Sequence, residues 1–95
     1  MRSNAKPDAN HAYLRDEVFR RLCPVVIDTH HHGDHILDLI IKTQRGSFFM
    51  VEIKDGTKPA SARKLKPLQE LMLALFPEVC KLVKNQDEAE ELCKL

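Results

Sequence analysis

A chain of 95 residues that is 43% apolar holds enough material for one small core, so neither disorder nor a multidomain layout is the starting expectation. Its 15 basic and 14 acidic residues leave a net charge of +1, which excludes a uniformly basic nucleic-acid binder. No apolar run approaches the roughly 20 residues of a membrane-spanning helix, and the three cysteines, Cys23, Cys80 and Cys93, form no Cys-x-x-Cys pair. They read as small buried hydrophobes in a reducing, cytoplasmic setting, not as a disulfide framework or zinc knuckle.

Residues 1–7 read as a loose tail without the apolar stretch of a signal peptide, and 8–95 as a single domain. Asp8 is placed to cap a helix beginning near Ala9. Leu14, Val18 and Leu22 recur at i, i+4 and i+8, with Phe19 beside them, and predict one buried helical face. Cys23-Pro24 ends that helix, because a residue preceding proline is pushed out of the helical region. Val25-Val26-Ile27 is β-branched throughout and predicts a strand. A polar connection, Asp28 to His35, follows. Ile36–Lys42 and Phe48–Lys54 predict the second and third strands, joined by Thr43-Gln44-Arg45-Gly46 as a hairpin. Side chains alternate along a strand, so Glu52 and Lys54 share one face and Ile53 takes the other.

Pro67 suits the first turn of a second long helix. Leu68, Leu71, Met72, Leu75 and Phe76 have the spacing of a buried face on it, as core packing. Pro77 stops the helix, and Glu78–Lys84 predicts a fourth strand. Asn85 followed by Glu88 predicts a capping box on a last helix whose Ala89, Leu92 and Cys93 face the core. The order is α-β-β-β-α-β-α.

Charge inside the two central apolar runs is the feature that points to chemistry. Asp38 interrupts Ile36-Leu37-Asp38-Leu39-Ile40-Ile41, and thirteen residues separate it from Glu52-Ile53-Lys54. Burying charge is costly unless it is paired or bound to metal. Two carboxylates held together suit a hard divalent cation such as Mg²⁺, and the backbone carbonyl of Ile53 would add a third oxygen. A lysine beside them suits orientation of a water or stabilisation of phosphate charge, as phosphodiester hydrolysis requires. On spacing alone, the competing reading is the exposed face of a two-sided hairpin with an ordinary Glu–Lys pair. Directly after this strand, Lys58, Arg63, Lys64 and Lys66 occur without an intervening acid, and Ser61 lies among them. Such a segment can hold phosphates without reading base sequence, or it is a solvated loop.

The run Thr29-His30-His31-His32-Gly33-Asp34-His35 fits the His-x-His-x-Asp-His pattern, which is similar to that of the metallo-β-lactamase superfamily. That superfamily has a far longer sandwich fold and further ligands downstream, whereas no histidine follows His35 here. The run reads better as a polar loop leading into the strand of Asp38, or as a site of incidental metal affinity.

Asp38…Glu52-x-Lys54 on two adjacent strands, between a preceding and a following helix, resembles the PD-(D/E)XK nuclease superfamily, and most closely its small phage and bacterial virus-type replication-repair nucleases. Asp8-Ala9-Asn10, Val26-Ile27-Asp28-Thr29-His30, Val51-Glu52-Ile53-Lys54-Asp55-Gly56, Pro59-Ala60-Ser61-Ala62-Arg63-Lys64-Leu65, Pro67 and Gln69 carry the resemblance, over about residues 8 to 90. Three positions depart from the group: Leu37 stands where it has proline, His11 where it has glutamine, and Lys66 where it has a capping threonine. The resemblance implies a restriction-endonuclease-like core with a mixed four-stranded sheet flanked by helices. It implies Asp38, Glu52 and Lys54 as catalytic residues, with Asp38, Glu52 and the Ile53 carbonyl holding Mg²⁺ (Mn²⁺ substituting). Gln69, Asn10 and Glu17 would complete the surroundings, and Lys58, Ser61, Arg63, Lys64 and Lys66 would contact DNA. The implied activity is structure-selective cleavage of branched or flapped DNA in phage or bacterial replication, recombination or repair, by a homodimer. The alternative is a DNA-binding or assembly module that keeps the nuclease fold without catalysis.

Overall fold

The computed structural model describes residues 10–29 and 37–95. Asp8 and the histidines at positions 30, 31, 32 and 35 therefore lie outside the described residues.

The first helix, α1, runs without a break through an α-turn at His11–Tyr13, a π-helical stretch at Leu14–Phe19 and an α-turn at Arg20–Leu22. In the π segment the Arg20 N–H reaches the Arg15 carbonyl, five residues back. That wider turn shifts every later residue around the helix axis relative to a regular α-helix. Leu14, Val18 and Phe19 are buried as the spacing predicts, but Leu22 is turned outward, 42% exposed, and Cys23 is buried in its place. Cys23 is extended and ends the helix before Pro24.

Four strands follow: β1 (Val25–Asp28), β2 (Leu39–Lys42), β3 (Phe48–Ile53) and β4 (Cys80–Val83). They form one mixed sheet in the order β1-β2-β3-β4, antiparallel except that β4 runs parallel to β3. The chain is thus an α/β fold with a mixed four-stranded sheet and helices. Pairing of Val26 with Ile41 and of Ile41 with Phe49 lines apolar side chains up across the strands. Leu39, Ile41, Phe49, Val51, Ile53 and Val83 pack there with Leu14, Val18, Phe19, Ala89 and Leu92 as the core.

Several predicted boundaries are corrected. Asp28 belongs to β1 rather than to the polar connection. The second strand begins at Leu39, with Leu37 and Asp38 outside it, and the fourth spans Cys80–Val83, not Glu78–Lys84; Ile36 lies outside the described residues. Lys54 lies just past β3, although its N–H still donates to the Val83 carbonyl at 3.0 Å. The β2–β3 turn closes with Thr43 N–H donating to the Ser47 carbonyl and Gly46 N–H to the Thr43 carbonyl, both at 2.9 Å. Gly46 has φ +93°, where a side chain would be strained.

After a 3₁₀ turn at Ala60–Arg63 comes helix α2, Pro67–Leu75. Its orientation is the largest correction. Leu68, Leu71, Leu75 and Phe76 were expected in the core, yet all four are exposed, while Met72 and Leu73 are half-buried and Gln69 is buried. The sheet surface beside α2 carries Glu52, and a buried carboxylate needs a polar partner. Turning Gln69 inward supplies one. The last helix, α3 (Gln86–Cys93), packs on the π segment of α1. Asn85 Oδ1 accepts from the Glu88 N–H at 2.8 Å, as a helix cap should. The Glu88 carboxylate reaches back to the Lys84 N–H rather than to that of Asn85. Ala89, Leu92 and Cys93 face the core.

Candidate active site

Asp38 sits just before β2, 8% exposed. Antiparallel pairing leaves the N–H of Ile53 pointing toward β2 after the ladder has ended at Leu39–Val51. Asp38 Oδ2 accepts that N–H at 2.8 Å, so the side chain substitutes for strand backbone. Its own backbone is fixed from β1's side. Thr29 N–H donates to the Asp38 carbonyl at 2.8 Å, and the Thr29 hydroxyl donates to the Leu37 carbonyl. Leu37 is completely buried.

Glu52 is 3% exposed and lies on β3 opposite Leu82 of β4. Gln69 Nε2 donates to its Oε1 at 3.2 Å, and Lys54 Nζ lies 3.4 Å from its Oε2. Gln69 does two things at once. Its Oε1 accepts the Lys66 N–H at 3.1 Å and thereby caps α2, while its amide nitrogen holds Glu52. The structure therefore brings Glu52, Lys54 and Gln69 into direct contact and sets Asp38 against Ile53, the residue between Glu52 and Lys54.

Asn10, expected to complete the surroundings of the site, donates from Nδ2 to the carbonyls of Lys54 and Lys84, both at 3.2 Å. It ties the start of α1 to the ends of β3 and β4. Glu17 is exposed. Lys58, Ser61, Lys64 and Lys66 are exposed on the segment after β3, and the Arg63 side chain lies outside the described ones.

The residue that sequence reasoning did not assign is His11. Its ring is buried, 2% exposed, with Nε2 3.7 Å from Asp28 Oδ2 and Nδ1 3.9 Å from Asp38 Oδ2. Arg15 Nη1 donates to Asp28 Oδ2 at 2.8 Å, and Arg15 also pairs with Asp16. Those two carboxylates, Asp16 first and then Asp28, hold the guanidinium above its ordinary basicity. Arg15 in turn lowers the Asp16 carboxyl to about 2. A line of alternating partners, Asp16, Arg15, Asp28, His11, thus ends at Asp38. Two signals could have found it. His11 and Arg15 are four apart and share one side of α1. Asp28 alternates with Val26, on the strand face that packs toward that helix.

Asp38, Glu52 and the Ile53 carbonyl offer only oxygen donors, the set that suits a hard cation. Among the described residues, no three or more His, Cys, Asp or Glu side chains group as a metal site, and this set contributes only two such side chains. A groove of about 560 Å³ runs between β4 and α3, and none of the expected site residues lines it. No described helix is long and apolar enough to cross a membrane. Compared with protein-family models, with curated proteins and with solved structures, the chain matches none.

Proposed function

We propose that this chain is a Mg²⁺-dependent DNA endonuclease with a small restriction-endonuclease-like core, selective for branched or flapped DNA. One observation carries the reading. Two carboxylates are almost wholly buried, Asp38 just before β2 and Glu52 on the adjacent β3, and a lysine contacts the second. A buried carboxylate is a poor source of stability, because its desolvation cost rivals the attraction it gains from a partner. Their retention at one end of a sheet, followed by exposed basic residues, fits metal-assisted hydrolysis of a phosphodiester.

In this reading Asp38, Glu52 and the Ile53 carbonyl hold the cation, with Mn²⁺ able to substitute. When bound, Mg²⁺ supplies the positive charge that offsets the developing negative charge on the phosphate oxygens. The Ile53 N–H fixes the Asp38 carboxylate, and Gln69 fixes that of Glu52. The Lys54 ammonium, 3.4 Å from Glu52, orients the attacking water and faces the anionic phosphate. Lys58, Ser61, Arg63, Lys64 and Lys66 hold the flanking backbone of the DNA.

The test is cleavage of nicked, flapped, Y-shaped and four-way DNA with Mg²⁺ or Mn²⁺, by the wild type beside Lys54→Ala and Asp38→Ala. Both variants lose cleavage and retain DNA binding if the reading is right. Equal cleavage by all three proteins refutes it. Wild-type binding to these DNAs without cleavage identifies a non-catalytic module instead.

A further inference from the structure

Two of the three cysteines meet inside the fold. Cys23 follows the last turn of α1 and Cys93 is the last residue of α3, 70 positions further along the chain, yet their Sγ atoms lie 3.5 Å apart. They are 6 and 7% exposed, and Cys80 on β4 is 3% exposed. Among the described residues, no such sulfur contact involves Cys80. A disulfide bond is about 2 Å long, so closing the gap needs a shift of about 1.5 Å. Both cysteines stand where the backbone can supply it. Cys23 is already outside the helix, at φ −117° and ψ 137°. After Cys93, the Lys94 and Leu95 N–H groups reach the Glu91 and Leu92 carbonyls at 3.2 Å, the tightened winding of a helix end.

We propose that Cys23 and Cys93 are an oxidisable pair, which a peroxide converts to a disulfide that fastens the end of α1 to the end of α3. Burial raises both thiol pKa values; for Cys23 the contact with Cys93 opposes the rise, and for Cys93 the contact with Cys23 adds to it. Cys23 is therefore the first to ionise, and the thiolate is the nucleophile. Its sulfur attacks one oxygen of hydrogen peroxide, the O–O bond breaks, and hydroxide leaves Cys23 as a sulfenic acid. The Cys93 sulfur then attacks Cys23 Sγ. The S–O bond breaks, the S–S bond forms, and the hydroxyl departs as water with the Cys93 proton. Two thiols and one peroxide thus give one disulfide and two waters, the sulfurs losing the two electrons that the peroxide oxygens gain. Hydrogen peroxide is small enough to reach such covered sulfurs, and a dithiol reverses the bond by exchange. The pair sits by the start of β1, whereas Asp28 and the candidate site lie at its other end, so this chemistry is independent of the nuclease reading.

Thiol mapping of the full chain tests it. The folded protein is treated with hydrogen peroxide, then denatured, alkylated with iodoacetamide, digested and analysed by mass spectrometry. Free thiols should fall from three to one, with a Cys23–Cys93 linked peptide and Cys80 alkylated, and dithiothreitol should restore all three. The oxidised protein should melt about 10–20 °C above the same sample after dithiothreitol, because a bond closing so long a loop restricts the unfolded chain. In Cys93→Ala, oxidation should stop at the Cys23 sulfenic acid, which dimedone traps and which the wild type does not accumulate. Should that variant not fold, mapping of the wild type still decides. Three alkylated cysteines after peroxide overturn the proposal. So does Cys23 carried on to sulfinic acid without a linked peptide, linkage through Cys80 in equal amount, or a linked protein that melts no higher than the reduced one.

Discussion

Glu52→Gln separates a charge kept for chemistry from a charge kept for the fold. The amide matches the carboxylate in shape, so Gln69 Nε2 still has an oxygen to donate to at position 52. What disappears is the attraction of Lys54 Nζ at 3.4 Å, worth about 5 kcal/mol at an effective dielectric constant of about 20. What also disappears is the cost of holding a 3%-exposed carboxylate away from water, which is itself several kcal/mol per ion. The two terms oppose each other and are of similar size. The Lys54 side chain is 17% exposed, so its ammonium can turn to water instead of staying buried and unpaired, and net stability should change by less than about 1.5 kcal/mol, a shift in melting temperature under about 12 °C for a domain of this size. Urea titration and thermal melting, run beside metal-dependent cleavage, give both readouts. The expected result is a nearly unchanged fold with cleavage lost. A stability loss above about 3 kcal/mol would make the Glu52 charge structural, and unchanged cleavage would remove this carboxylate from the metal set.

Three further outcomes follow from the same contacts. His11→Ala should lower cleavage about 10–100-fold, as loss of a group supporting a metal carboxylate does, whereas His11→Gln, which keeps a hydrogen-bonding side chain between Asp28 and Asp38, should retain most of it. The readout is activity against metal concentration, where a purely structural role would move melting but not metal dependence. Gly56→Ala should cost about 1–3 kcal/mol by overpacking, because its Cβ would lie 3.0 Å from the Lys84 carbonyl oxygen, to which the Gly56 N–H donates; urea titration would show it. The Cys93 thiol, its Sγ 3.5 Å from that of Cys23, is pushed up to about 12, by burial first and then by Cys23. A raised thiol pKa favours the neutral, folded form, so this contribution is full below the ordinary value of 9.0 and is lost as pH rises toward 12. Melting temperatures across that window should fall, and iodoacetamide should modify Cys93 only slowly at neutral pH.

Most of the fold can be read from residue pattern because local chemistry and packing agree there. The β-branched run at Val25, the glycine of the Thr43–Ser47 turn, Pro24, Pro67 and the Asn85 cap each demand one backbone conformation regardless of what lies nearby. The strand ends are less legible. β2 begins at Leu39 because a side chain, that of Asp38, takes the hydrogen bond that backbone would otherwise accept, and apolar periodicity at Ile36 and Leu37 carries no trace of that exchange. The π segment of α1 is likewise silent in the pattern. It is the reason Leu22 points out and Cys23 points in, although both suit the core.

The candidate site divides in the same way. Asp38, Glu52 and Lys54 stand out because charge within an apolar run contradicts its surroundings. His11, Arg15 and Asp28 look ordinary one by one, and become a connected line only when α1 lies against β1. The leucines of α2 show why. Spacing states that Leu68, Leu71 and Leu75 share a side of the helix, but it cannot state which side meets the sheet. That choice is made by Glu52, whose buried carboxylate draws in Gln69 and leaves the richer apolar row outside. A leucine row is thereby displaced from the core by the polar requirement of a site, and a helix rotated to serve Glu52 on one side keeps its apolar row exposed on the other.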